Sequence, residues 1–313
     1  MSERCLFPST STFSHFFKKN NKFPRFKSKN NPKQSYRLPQ GFKINIKNKY
    51  ISIPKLGWIK FRGKFNIPQD VEFRNITISK DCDKYFVLIC YKTNEKPKEK
   101  EIPELDKTLG IDLGIKTLAT FSDGTKIDNP KHLKQYENKL IKEQQKLSKK
   151  PNKDSKNYQK QKKIVNKTHK KVSNTRKDFL HKLTTSIVEN QDYSSVVIED
   201  LSVNNIIMQD NQSNISKAIG DVGLRIFRQM IEYKSEDKGK NLFVIGRFEP
   251  SSKLCVCGVK NNELTLNDRE LVCSNCGVKH DRDILAANNI KTFGFRKYES
   301  GQGFVTIEEP PQL

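Results

Sequence analysis

The sequence predicts an α/β protein in two parts: a small antiparallel β-domain, then a mixed sheet with helices packed around it. Three observations carry this expectation. Short alternating apolar runs broken by Pro and Gly occupy residues 36–92. From Leu109 onward the periodicities read strand, strand, strand, helix, strand, helix, strand, helix, which is the order of a ribonuclease H-like fold. Four cysteines crowd between positions 255 and 276, where a small metal ribbon would interrupt the last strand and the last helix.

Taken in order, residues 1–34 are rich in Lys, Asn, Ser and Phe without periodicity, and a poorly ordered basic arm is expected. Phe16, Phe17, Phe23 and Phe26 interleave with Lys there and could stack on bases or pack on the β-domain. The β-domain is expected over 35–94, with strands at Phe42–Ile46, Tyr50–Ile53, Trp58–Phe61, Phe73–Ile78 and Tyr85–Tyr91. Residues 95–106, with Pro97 and Pro103 among alternating charges, read as a linker.

The larger domain is expected over 107–293. Leu109–Gly114 opens it, Thr117–Phe121 follows, and Ser122-Asp123-Gly124 turns into a third strand. Helical signals fill 131–190: Val165, Val172 and Phe179 recur every seven residues, Leu183 and Ile187 continue the face, and Pro151 divides the segment into a hairpin. A buried strand at Ser195–Glu199, a helix from about Ile215 to Tyr233 and a strand at Leu242–Ile245 come next. The ribbon is expected at 250–280, then a short helix from Asp283 to Thr292. The Gly- and Pro-bearing tail, 294–313, reads as disordered.

The chain has 313 residues, 34% of them hydrophobic, enough for two cores. Its net charge of +24 is segregated. Residues 1–64 hold 16 Lys and Arg against one acid, and residues 131–182 hold 18 against four. Two basic blocks are the footprint of a polyanion binder, because Lys and Arg release the counterions condensed on phosphates; an A-rich coding sequence would inflate Lys without segregating it. No apolar run approaches the ~18 residues of a membrane span and no secretory signal opens the chain, so a cytoplasmic protein without a membrane partner is expected.

Two sets of residues carry candidate chemistry. Cys255, Cys257, Cys273 and Cys276 suit zinc, the alternative being four reduced core cysteines; the 15 residues between the pairs are polar and turn-like. The first pair is Cys-x-Cys, one residue short of the usual knuckle, so weaker binding or a different set of rotamers is expected. Asp112 in the first strand, Glu199 closing the fourth and Asp283 opening the last helix fall at comparable ends of the expected sheet. Singly these acids read as a turn residue, a surface charge and a helix cap. Asp112 and Glu199 each follow an apolar strand, however, where a solvated acid has little reason to be. Converging carboxylates are hard ligands for Mg²⁺ or Mn²⁺, and two such ions about 4 Å apart can hydrolyse phosphodiesters.

Several motifs together resemble the TnpB family, RNA-guided nucleases of insertion sequences related to type V CRISPR effectors. They are Arg37-Leu38-Pro39-Gln40-Gly41, Pro54-Lys55-Leu56-Gly57-Trp58, Gly110-Ile111-Asp112-Leu113-Gly114-Ile115-Lys116, Arg176-Lys177-Asp178-Phe179-Leu180-His181-Lys182, Val197-Ile198-Glu199-Asp200-Leu201 and the block from Ser251 to Asp283. The resemblance implies that Asp112, Glu199 and Asp283 form a RuvC-type Mg²⁺ (or Mn²⁺) site, that the four cysteines hold Zn²⁺, and that the partners are DNA and a guide RNA. It implies a transposon-encoded DNA endonuclease; the alternative is a truncated or decayed nucleic-acid-binding protein without cleavage. Relative to the family pattern the chain begins late, which implies a missing front end. It also carries Leu285 where Asn is usual, and Gly246 where an acid is common.

Overall fold

Two apolar runs form the centre of the larger unit's sheet, as strands covered on both faces must. They are β7 (Thr108–Leu113) and β10 (Ser195–Glu199), and Leu109, Ile111, Val196, Val197 and Ile198 on them are almost wholly excluded from solvent. A computed structural model describes residues 34–63, 67, 71–93, 98–201, 222–246, 249–261 and 268–301, together with Phe17 and Phe23. The rest of the expected basic arm, the beginning of the helix expected from Ile215 and the tail beyond Gly301 lie outside these residues.

The described residues fall into two units that divide between 93 and 98. The first holds β1 (Gln34–Leu38), β2 (Lys43–Asn45), β3 (Tyr50–Ile53), β4 (Gly57–Lys60), β5 (Glu72–Asp81) and β6 (Lys84–Lys92). These make two three-stranded antiparallel sheets, β1-β5-β6 and β2-β3-β4, around Leu38, Ile51, Ile53, Phe61 and Ile76. Strand β1 was not expected from the sequence: four of its five residues are exposed, so its pattern carries no apolar signal.

The second unit is built on a five-stranded mixed sheet in the order β11-β10-β7-β8-β9, adding β8 (Thr117–Phe121), β9 (Lys126–Asp128) and β11 (Asn241–Ile245). Strand β10 runs parallel to both β7 and β11, whereas β7, β8 and β9 form an antiparallel meander. Between β9 and β10 come α1 (His132–Ser148) and α2 (Lys156–Glu189); α3 (Leu224–Lys238) makes the crossover from β10 to β11, and α4 (Arg282–Glu299) ends the unit. The two helices of the hairpin meet along α2 residues Val165, Thr168 and Val172, which are buried, while Ser155 caps α2 by accepting the Tyr158 N–H.

One face of the sheet packs on α2 and α3 through Leu109, Ile111, Val196, Ile198, Leu180, Phe227 and Ile231; the other packs on α4 through Val197, Phe243, Ile245 and Ile290. Fully burying each of these side chains contributes roughly 1.5–3 kcal/mol. Helix α4 runs seven residues past the expected stop at Thr292, through Gly294. Among the described residues no helix is long and apolar enough to cross a membrane.

Candidate active site and cysteine ribbon

Two glycine-sized contacts seat α4 on the sheet. A Cβ on Gly110 would lie 2.1 Å from the Ala287 carbonyl oxygen and 2.7 Å from the Lys291 nitrogen. A Cβ on Gly294 would lie 2.3 Å from Cγ1 of Val197. Gly110 and Val197 are register partners on β7 and β10. Since side chains alternate along a strand, Asp112 and Glu199, two residues further along each, share the face that α4 covers. The same register carried one pair beyond Ile198 and Ile111 sets Glu199 beside Asp112.

Asp283 reaches this face from the first turn of α4. The cap of that helix is Asp281, whose Oδ1 accepts the Asp283 and Ile284 N–H groups at 3.1 Å each and whose Oδ2 is bound by Lys126 at 2.7 Å. Asp283 is therefore not the cap, and its carboxylate faces a cleft of about 350 Å³ that Asp112, Lys116, Thr117, Thr120 and Arg269 also line. Arg269, at the entry to β12 (Glu270–Val272), comes within 3.5 Å of Asp283. It was missed in the sequence because it stands in a turn-rich segment with no periodicity.

The electrostatics centre on Asp112. Burial, reinforced by the charge of Asp283, pushes its carboxyl up to about 6, against the opposing pull of Arg282 and a hydrogen bond from the Leu113 N–H. Burial, then the charges of Asp112 and Asp200, push Glu199 up to about 7. The adjacent Asp200 is bound by the Arg228 guanidinium. Asp112 is thus the member that feels the charge of Asp283 and in turn raises Glu199. The three are spread more widely than the cysteines, the one group of His, Cys, Asp or Glu among the described residues whose ligand atoms all lie within 4.8 Å of one another. Two carboxyls raised by desolvation and by the charge of neighbouring acids are a donor set that a cation would relieve.

Within the cysteine quartet, Sγ of Cys255 lies 3.7 Å from that of Cys276, and Sγ of Cys257 lies 3.5 Å from that of Cys273. The sulfurs of the short first pair lie with those of the second within 4.8 Å of one another. In the second loop the Gly277 N–H reaches the Cys273 carbonyl and the Cys273 N–H reaches the Val278 carbonyl. In the first, the Gly258 N–H reaches Cys255 and the Cys255 N–H reaches Val259, so each hydrogen-bonded ring is one residue smaller. Both loops turn at a glycine with positive φ, +87° at Gly258 and +71° at Gly277. Backbone N–H groups also favour thiolates: that of Val259 lowers Cys257, and those of Cys276 and Asn275 lower Cys273. The ribbon's strands, β12 and β13 (Lys279–Asp281), join this cluster to the acidic cleft, since β12 begins beside Arg269 and β13 leads into α4.

At the two positions where the chain departs from the TnpB pattern, Leu285 is buried, and Gly246 follows directly on β11 with the Lys297 ammonium 4.0 Å from where a Cβ would stand. Lys297 instead approaches Glu249, at 4.0 Å.

The sequence is similar to those of known proteins over nearly its whole length. The OrfB_IS605 family model, described as "Probable transposase", matches residues 88–209, and the model described as "Cas12f1-like, TNB domain" matches residues 225–290. A protein of Streptomyces pristinaespiralis named "Putative RNA-guided DNA endonuclease" is 36% identical over 297 residues, which cover 94% of this chain and 71% of the relative. The Escherichia coli K12 protein named "Putative RNA-guided DNA endonuclease InsQ" is 31% identical over 96% of this chain and 77% of its own length. A solved Cas12f1–sgRNA–target DNA complex is 16% identical with a TM-score of 0.49, over 71% of this chain and 46% of that one. On the strength of the two long alignments, and with the motifs around Asp112, Glu199 and Asp283 in order along the chain, this protein belongs to the TnpB family, the OrfB proteins of insertion sequences.

Proposed function

We propose that the chain is an RNA-guided DNA endonuclease of the TnpB type, a transposon-encoded, cytoplasmic protein that cuts DNA phosphodiesters at Asp112, Glu199 and Asp283. The observation that carries the reading is that α4, seated through Gly110 and Gly294, brings Asp283 to the sheet face holding Asp112 and Glu199. The strand order β11-β10-β7-β8-β9 supports a ribonuclease H-like, RuvC-type domain over 107–293, with 131–190 as its helical insertion and 250–280 as its ribbon. Residues 35–94 would be the accompanying wedge-like β-domain.

Oxygen donors of this kind suit a pair of Mg²⁺ or Mn²⁺ ions, which when bound supply an activated water and stabilise the leaving oxygen. The chain's own groups would do the rest. Asp112, Glu199 and Asp283 would hold these ions. Lys116 and Arg269 bring positive charge to the cleft wall, where a DNA phosphate would lie. Glu199, raised to about 7, must give up its proton as the site loads.

The four cysteines would hold one zinc. Tetrahedral Zn–S bonds of ~2.3 Å set the sulfurs about 3.8 Å apart, close to the 3.5 and 3.7 Å found here.

The test is a cleavage assay with purified chain, the RNA transcribed from the 3′ flank of its own gene, Mg²⁺ and a matching duplex. Cleavage is expected, reduced to background in Asp112→Ala with RNA affinity retained. Wild-type chain that binds without cutting would sink the enzyme reading in favour of a binding-only protein.

A further inference from the structure

Resting on the reading of the chain as RNA-guided, the geometry points to the groove between α1 and α2 as the seat of the guide RNA backbone. The groove encloses about 240 Å³ and is lined by Tyr136 and Lys139 from α1 and by Ile164, Lys167, Thr168 and Lys171 from α2. It shares no residue with the acidic cleft. Three of its six lining residues are lysines and none is an acid. Lys167 and Lys171 stand one helical turn apart, about 6 Å along the axis, a step comparable to that between neighbouring phosphates on a strand. The Lys171 ammonium is held over the Tyr136 ring, 5.1 Å from its centroid, so it is set in place before any ligand arrives. Tyr136 and the half-exposed Ile164 give the groove a floor against which a sugar or base can rest.

The surroundings extend the same chemistry. Exposed lysines at 156, 160, 163 and 167 follow one another every three or four residues, and Lys177 continues the line ten residues on, along the solvent side of α2, opposite the buried Val165, Thr168 and Val172. From Lys156 to Lys177 that stripe is roughly 32 Å long, about one turn of a duplex. Between its start and Glu189, α2 carries a single acid, Asp178, which is paired with Lys182 at 2.8 Å. A groove without carboxylates has no means of holding catalytic ions, so a strand lying in it is not cut. That suits the guide, which must outlast each turnover, better than the DNA, which must be cleaved and released.

The experiment measures the salt dependence of binding to the RNA transcribed from the 3′ flank of the gene, and to DNA of the same sequence, for three full-length variants. Lys139→Ala/Lys167→Ala/Lys171→Ala should lower RNA affinity and make the slope of log affinity against log salt shallower by about 2 to 3. The triple Arg variant at the same positions should restore the slope. Lys134→Ala/Lys142→Ala/Lys149→Ala, an equal loss of charge on the same hairpin outside the groove, should change it by less than half as much. An unchanged slope in the groove variant, while the wild type binds RNA steeply, overturns the groove and leaves the RNA-guided reading standing. An equal effect from the control triple, or a change seen only with DNA, also overturns it. A wild-type chain that does not bind the RNA overturns both.

Discussion

The sulfur of Cys255 lies 3.3 Å from Nε2 of His280, and His280 sits on β13 three residues before Asp283. One side chain thereby ties the first cysteine loop to the strand that delivers the third acid of the cleft. A ring N–H donated to a thiolate also stabilises the charged form of that ligand. His280→Ala should release zinc to a chromogenic chelator with affinity weakened roughly 10-fold, in the range typical of lost partners behind metal ligands. Unchanged zinc retention would show that the contact is incidental.

Gly110 makes a sharper prediction, because no side chain fits where it stands. Gly110→Ala places a methyl 2.1 Å from a backbone oxygen of α4, and neither backbone can yield as a flexible side chain would. The helix must move off the sheet, at a cost of about 1–3 kcal/mol in overpacking, and Asp283 moves with it. A lower thermal midpoint is expected, together with cleavage lost at temperatures where the variant is still folded by circular dichroism. Full activity in a folded Gly110→Ala chain would mean that the seating of α4 does not set the acids.

These same glycines explain what the sequence did and did not disclose. Asp112 and Glu199 were legible because a carboxylate after Leu109-Gly110-Ile111 or Val196-Val197-Ile198 has no solvent to account for it. The true length of α4 was not legible. Gly294, followed by Gly301 and Gly303, reads as a helix stop, yet it is there because Val197 leaves no room for a Cβ. The capping role was misassigned for a related reason: Asp281 and Asp283 are both acids at a helix start, and only the N–H groups reaching Asp281 tell them apart. Arg269 became visible only when the ribbon folded back beside Asp283.

The tight first cysteine loop is expected to be complete as it stands. Its two rings through Gly258 and Val259 satisfy the same backbone groups as the longer second loop. Inserting one residue between Val256 and Cys257, to restore the usual spacing, should therefore not strengthen zinc binding by more than about 3-fold, well inside the range of ordinary context effects. Competition against a chelator of known affinity measures it. A gain of 10-fold or more, roughly 1.4 kcal/mol, would show that the short spacing strains the site.

The raised carboxyls make the cation-free cleft a source of instability with a defined pH dependence. Asp112 moves from an ordinary value of 3.8 to about 6, and Glu199 from 4.5 to about 7. Between about pH 4 and pH 7 the folded chain consequently binds more protons than the unfolded one, so stability falls as pH rises through that window and the full cost is present above it. For Asp112 the shift corresponds to on the order of 3 kcal/mol. Asp112→Asn removes that charge and also relieves Glu199, while its amide oxygen can still accept the Leu113 N–H. In chelator-treated protein at pH 8 the variant should be more stable than wild type by roughly 2 kcal/mol, or about 4–8 °C in thermal midpoint, with the difference vanishing near pH 4. Adding Mg²⁺ should reverse the order, stabilising the wild type alone, since only the wild type gains a cation where the repulsion was. A variant less stable than wild type at pH 8 without metal would mean that Asp112 is held by attractions stronger than its burial and the charge of Asp283.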